Sequence, residues 1–289
     1  MERQNCSKLR VLLAGQQTSF AHVLAANIQC WGYNVRMMPT TVPLWESKVD
    51  CDVLLYDLDD AYKLSTYLGG EDTRFSLSGS GGSTEWYQAQ SEGRWLQEAQ
   101  TTSVPTYLTI ALSSRSVSRA TLEQMGAVAL LLKPFEMGQL QQYLRVIQRL
   151  LLEREARPQE SRTRRILVVD DNVKVAEVIQ RLLSGEPGYE VAVAHNGLEA
   201  LELCLDWRPT CIVTDVIMPW MNGYQVIRCL AAGSLHTIPA FVITSALAQL
   251  EVPVSRSYLP EIPITYVNKP FTIDDLLTAV EHACSEHVS

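Results

Sequence analysis

The stretch Ile166-Leu-Val-Val-Asp170-Asp171-Asn172 decides the fold. Four continuous apolar residues, three of them β-branched, run into a pair of carboxylates. That pattern reads as a parallel strand buried on both faces, delivering its acids to the carboxyl edge of a sheet. Outward from it, Val173 to Leu183 has helical periodicity and is stopped by Gly185, Pro187 and Gly188. Strand-like runs follow at Tyr189-EVAVA, Thr210-CIVT-Asp215, Ala240-FVIT-Ser245 and Ile264-TYV. Helical stretches lie at Leu198 to Leu205, Tyr224 to Leu230 and Ile273 to Cys284. Strands alternating with helices in this way predict a doubly wound parallel sheet with right-handed crossovers. In such sheets ligands sit in the crevice at the carboxyl ends of the strands.

The first half repeats the plan at lower fidelity. Val11-LLAG aligns with Ile166-LVVD, Cys51-DVLLY-Asp57 with Pro209-TCIVT-Asp215, Pro105-TYLTIAL with Pro239-AFVITSA, and Leu131-LKPF with Val267-NKPF. The chain therefore divides into a first α/β domain over 1–155, a linker over 156–164 and a second domain over 165–289. An insertion near 69–103, centred on Ser76-LSGSGGS, is expected to be a flexible surface loop. Between the copies, Leu140, Leu144, Ile147 and Leu151 share one helical face. That face either packs on its own sheet or protrudes to pair with another protomer.

Composition narrows the function. The 289 residues are 47% hydrophobic and 19% charged, which gives ample material for two cores and excludes disorder as the main state. No apolar run approaches the length of a membrane span, and the first residues lack the pattern of a secretory signal. The seven cysteines are scattered without C-x-x-C spacing, as expected of reduced thiols in a cytoplasmic protein. The net charge of −8 is unevenly placed: 166–289 carries 6 basic and 15 acidic side chains, a poor match for a phosphate backbone. Neither nucleic acid nor membrane is an expected partner.

Asp170, Asp171 and Asp215 all fall at the carboxyl ends of buried strands. Like charges 4 Å apart repel by about 4 kcal/mol at an effective dielectric of 20, so the cluster calls for a cation. Oxygen-only ligands in an open crevice suit Mg²⁺. Thr244 ends the fourth strand and Lys269 the fifth, placing a hydroxyl donor and a fixed positive charge at the same rim. Phosphoryl transfer needs mainly positioning and charge neutralisation, and a carboxylate can be its nucleophile.

The joint pattern resembles the receiver domains of two-component response regulators. It is carried over 165–285 by ILVVDDN, TDVIMPWMNG around Asp215, VITSA, NKPF and the segment Ala194-HNGLEA. The resemblance implies two flavodoxin-like (βα)5 domains in tandem, with Asp215 as phosphoacceptor. It implies Mg²⁺ held by Asp171, Asp215 and the carbonyl of Ile217, with Asp170 assisting through water. Lys269 and Thr244 would bind the phosphoryl group, and Tyr266 matches the aromatic switch position. Met218–Pro219 and Asn222–Gly223 would shape the loop after the acceptor.

By the same comparison the first half has lost its pocket. Asp57 and Lys133 remain, but Gly15 and Gln16 replace the acidic pair, Ile110 stands at the hydroxyl position, and Leu130 replaces the switch aromatic. Asp57 is then expected to pair with Lys133 rather than to hold Mg²⁺.

The expected protein is a response regulator without a DNA-binding or enzymatic output domain, and not itself an enzyme beyond assisting its own phosphorylation and dephosphorylation. A histidine kinase or histidine phosphotransfer protein would be the donor. A downstream protein target, and a homodimer through the first domain, would be the contacts that respond. Two rival expectations remain open. The chain could be the regulatory fragment of a larger signalling enzyme such as a cyclic-dinucleotide synthase. Alternatively it could be an aspartate-nucleophile phosphatase, although Ile217 stands where that class carries a second aspartate.

Overall fold

A computed structural model describes residues 8–39, 50–59, 107–118, 121–122, 125–152, 163–219, 221–233, 237–245, 262 and 264–286. The insertion near 69–103 and the body of the linker lie outside these residues.

Two five-stranded parallel sheets are built in chain order from the same plan. The first comprises β1 (Arg10–Ala14), β2 (Asn34–Met38), β3 (Val53–Asp57), β4 (Leu108–Ser113) and β5 (Ala127–Leu132), with α1 (Ser19–Cys30) and α2 (Met137–Leu152) among its helices. The second comprises β6 (Arg164–Val169), β7 (Tyr189–Ala194), β8 (Cys211–Asp215), β9 (Ala240–Ser245) and β10 (Ile264–Asn268). Its helices are α3 (Val173–Leu183), α4 (Gly197–Asp206), α5 (Gly223–Ala232) and α6 (Ile273–Glu286). The strand orders are β2-β1-β3-β4-β5 and β10-β9-β8-β6-β7. Both are the flavodoxin-like order, in which the first and third strands of each sheet lie side by side and their carboxyl ends border one crevice.

Alternation along β6 shows why the strand is apolar throughout. Ile166 and Val168 face a core under α3 and α6, while Leu167 and Val169 face the opposite core under α4 and α5. All four are buried on a central strand, so no polar position is tolerated until the chain reaches the rim at Asp170.

The second core does not stop at its own helices. One apolar cluster runs from the first sheet through α2 to α4, α5 and the second sheet. Leu140, Tyr143, Leu144, Val146, Ile147 and Leu150 of α2 are buried in it. The apolar face that the sequence leaves open to another protomer is thus filled from within the same chain, by its own sheet and by the second domain. Its polar flank is matched in charge: Arg145 and Arg149 face Glu202 and Asp206 of α4 at 3.4 and 2.5 Å. Among the described residues, no helix is long and apolar enough to cross a membrane.

Candidate functional site: carboxylates at the strand ends

Val169 pairs with Thr214 across the β6–β8 ladder, so the residues that follow, Asp170 and Asp215, emerge at the same rim. Oxygens of Asp170, Asp171 and Asp215 all lie within 4.8 Å of one another. Asp170 is buried, Asp171 exposed and Asp215 intermediate, so the cluster opens to solvent on one side. Lys269, just past β10, places Nζ 3.1 Å from Asp170 Oδ2 and 3.2 Å from Asp215 Oδ2. The Asp170 carboxylate also accepts the Asn172 N–H at 2.9 Å, and Asp215 that of Val216 at 2.7 Å. Burial pushes the Asp215 carboxyl above its ordinary value; Lys269 opposes the shift and the Asp170 charge adds to it. One ammonium facing three carboxylates leaves an uncompensated negative charge. An all-oxygen donor set with an open side therefore fits a hard divalent cation such as Mg²⁺.

Thr244 pairs with Asp215 across the β8–β9 ladder, and its buried hydroxyl donates to the Thr214 carbonyl at 3.4 Å. Tyr266, on the edge strand β10, is exposed, as is the side chain of Ile217. The turn after the acceptor folds back so closely that a Cβ on Gly223 would lie 2.7 Å from the Asp215 carbonyl oxygen; only glycine fits. Asn222 caps α5, and Asn222 and Gln225 satisfy each other's backbone N–H groups at 2.8 and 2.9 Å. On the neighbouring loop, Glu199 accepts the His195 N–H at 2.8 Å, and the His195 ring lies 3.4 Å from the Asp170 carbonyl.

The first sheet presents the same rim with different charges. Lys133 Nζ lies 2.6 Å from both oxygens of Asp57 and 3.0 Å from Asp59. Asp59 in turn accepts the Ser114 N–H at 2.9 Å and the Ser114 hydroxyl at 2.6 Å. Burial works against the charged form of Asp59, but the Ser114 bonds and Lys133 outweigh it and hold its carboxyl below the ordinary value. The Phe20 ring centroid lies 5.0 Å from the Lys133 ammonium, and Phe135 packs edge-on against Phe20 at 6.0 Å. Gly15 and Gln16 occupy the places of Asp170 and Asp171, because Ala14 pairs with Tyr56 as Val169 pairs with Thr214.

The position of the missing hydroxyl needs a correction. Asp57 pairs with Leu112 as Asp215 pairs with Thr244, so Leu112 stands there, not Ile110, and Ser113 corresponds to Ser245. A slip of two residues keeps every side chain on its own face, so the apolar alternation of Leu108–Ser113 cannot fix the alignment; the ladder does. Asp59, Ser114 and Phe20 were not singled out from the sequence. The one available signal was the second acid two residues after Asp57, in Asp57-Leu-Asp59-Asp60.

Comparison with known proteins assigns the class. Residues 166–281 match the response regulator receiver domain family, and this part of the chain is a receiver domain, a signalling module. Among curated relatives, the response regulator MprA of Mycobacterium tuberculosis (strain ATCC 25618 / H37Rv) is 40% identical over 113 residues. The match covers 39% of this chain and 47% of that relative. The MprA of Mycobacterium avium (strain 104) is 39% identical over the same length. The chain thus spans about half the length of the curated relatives it matches. Among solved structures, a signal receiver domain from Bermanella marisrubri is 30% identical, with 42% of this chain and 98% of that one covered at a TM-score of 0.37. The receiver domain of the hybrid histidine kinase CckA is 28% identical, with 42% and 98% covered at a TM-score of 0.33.

Proposed function

We propose that the second domain is a Mg²⁺-dependent phosphoacceptor, and that its modification at Asp215 alters protein contacts. The observation that carries this reading is the cluster of three carboxylates within 4.8 Å, bridged on one side only by Lys269. Asp171, Asp215 and the Ile217 carbonyl would hold the ion, with Asp170 assisting. When bound, Mg²⁺ would neutralise phosphoryl oxygens during transfer.

The remaining work falls to the chain's own groups. An Asp215 carboxylate oxygen attacks the phosphorus of a phosphohistidine on a histidine kinase or phosphotransfer protein. The new O–P bond forms as the P–N bond breaks, and the imidazole leaves with the electron pair. The Lys269 ammonium stabilises charge on the phosphoryl oxygens, and the Thr244 hydroxyl is a donor to them once released from Thr214. The side of the crevice that opens to solvent at Asp171 admits water to the acyl phosphate, so it can be hydrolysed and the signal is reversible. Thr244 and the exposed Tyr266 would carry the change of state to a downstream protein.

The first domain is proposed to take no phosphoryl group. Its would-be nucleophile is held by Lys133, and Gly15 and Gln16 stand where the ion-binding acids would be. Exposure of the full chain to acetyl phosphate, followed by intact-mass measurement, tests both statements. One phosphoryl group should appear only with Mg²⁺, and Asp215→Asn should abolish it. Undiminished labelling in that variant would sink the assignment.

A further inference from the structure

One buried side chain joins the acceptor turn to the other domain. Gln225 is 4% exposed, in the first turn of α5. Its Oε1 accepts the Asn222 N–H at 2.8 Å, and its Nε2 donates to the carbonyl of Ala127, on β5 of the first sheet, at 3.2 Å. Arg228, one turn further along the same face, donates to the same carbonyl at 3.3 Å. Ala127 lies at an irregularity of the ladder: Thr109 pairs with Ala127 and Ile110 with Ala129, leaving Val128 as an extra residue. Such a bulge re-aims the local backbone.

Both ends of α5 are tightly seated. Gly223 abuts the Asp215 carbonyl, and a Cβ on Gly233, at the other end, would come within 3.2 Å of the Leu150 carbonyl of α2. A helix held in this way cannot adjust at its first turn without disturbing what Gln225 touches. A primary amide is the group that offers an acceptor to the turn and a donor to the first domain at once. Leaving either half unmet in a buried site is costly, so the two contacts are coupled.

We propose that Gln225 is a positioning residue linking occupancy of the Asp215 site to the β5–α2 surface of the first domain. The first domain is then the in-chain recipient of the signal, reached through the turn at the start of α5. This rests on Asp215 being the phosphoacceptor. Linkage is reciprocal, so contact with the first domain also sets how tightly the Asp215 site binds a phosphoryl group.

The test uses the full chain with Mg²⁺ and beryllofluoride as the phosphoryl analogue, read by hydrogen exchange and by titration. Binding should change amide exchange several-fold in β5 and α2. Gln225→Glu retains the acceptor for Asn222 but loses the donor to Ala127. It should shift the beryllofluoride dissociation constant about fivefold or more, the lower end of ordinary coupling. Loss of helix capping alone would lower stability without that shift. Unchanged exchange in β5 and α2 with the analogue bound to the unmodified chain overturns the coupling, whether or not the variant folds. An unchanged constant in a folded Gln225→Glu overturns the role of Gln225. Failure of the unmodified chain to bind the analogue overturns the acceptor reading and the coupling together, a distinct result.

Discussion

The two strand-end pockets of this chain share a frame and differ in charge balance. Each has an aspartate at the end of the third strand of its sheet, Asp57 or Asp215. Each has a lysine and a proline after the fifth, joined in both cases by a cis peptide bond. In the second pocket one ammonium sits about 3 Å from two of three clustered carboxylates. In the first, Lys133 touches both of its carboxylates, as close as 2.6 Å, and is covered by an aromatic ring. The backbone geometry thus keeps the positions, while the number of acids around one lysine decides whether an added cation is called for. The first pocket sets one ammonium against two carboxylates, both in direct contact with it; the second sets one against three, and its larger negative excess is left to be balanced from outside.

The largest effect expected to break this comparison is all-or-none. Asp215→Asn should lose Mg²⁺-dependent labelling by acetyl phosphate, and Asp57→Asn should retain it in full, as read by intact mass. Labelling that survives Asp215→Asn and disappears with Asp57→Asn would reverse the roles of the two pockets.

Next in size is Lys133→Met. Lys133, Asp57 and Asp59 expose only 16%, 8% and 20% of their side chains, so the change strands two carboxylates in a largely dry site. Removing one partner from a buried pair typically costs about 3–5 kcal/mol. Urea denaturation should show such a loss, and a smaller one for Lys269→Met in saturating Mg²⁺. Equal losses would mean that the two lysines have the same structural weight.

Acid should separate the pockets more gently. The folded value of Asp59 lies below its unfolded value, so this group contributes stability above the ordinary carboxylate range. That contribution is lost as the pH falls through the folded value. Between about pH 6 and pH 3, denaturation midpoints should therefore fall more steeply for the unmodified chain than for Asp59→Asn. Parallel slopes would remove Asp59 from the account.

The smallest effect is expected at the rim between the domains. Arg149→Ala breaks an ion pair whose acid, Asp206, is 62% exposed, so the loss should be about 0.2–1 kcal/mol and shrink with added salt. A larger loss would show that the charged flank, not the apolar face of α2, holds the two halves together.

Much of the second pocket was legible in the chain itself. A buried parallel strand must be apolar to its end, so the first acids after Val169 and at Asp215 stand out against an apolar background. The alternation of such strands with helices leaves one fold and one rim for those acids to occupy. The lysine before Pro270 and the repeated plan of the first half were visible for the same reason, because periodicity is local.

What only the tertiary structure decided are the relations that period and composition leave degenerate. A strand slipped by two residues shows the same faces, so the ladder alone places Leu112, not Ile110, opposite Asp57. An apolar helix face states that it is covered but not by what, so α2 could be assigned to its own sheet and to the second domain only when both were packed around it. The Lys133 clamp by Asp57 and Asp59 and the Gln225 bond to Ala127 join residues 76, 74 and 98 positions apart. Such contacts are made by side chains that local sequence would place equally well in solvent, and folding alone brings them together.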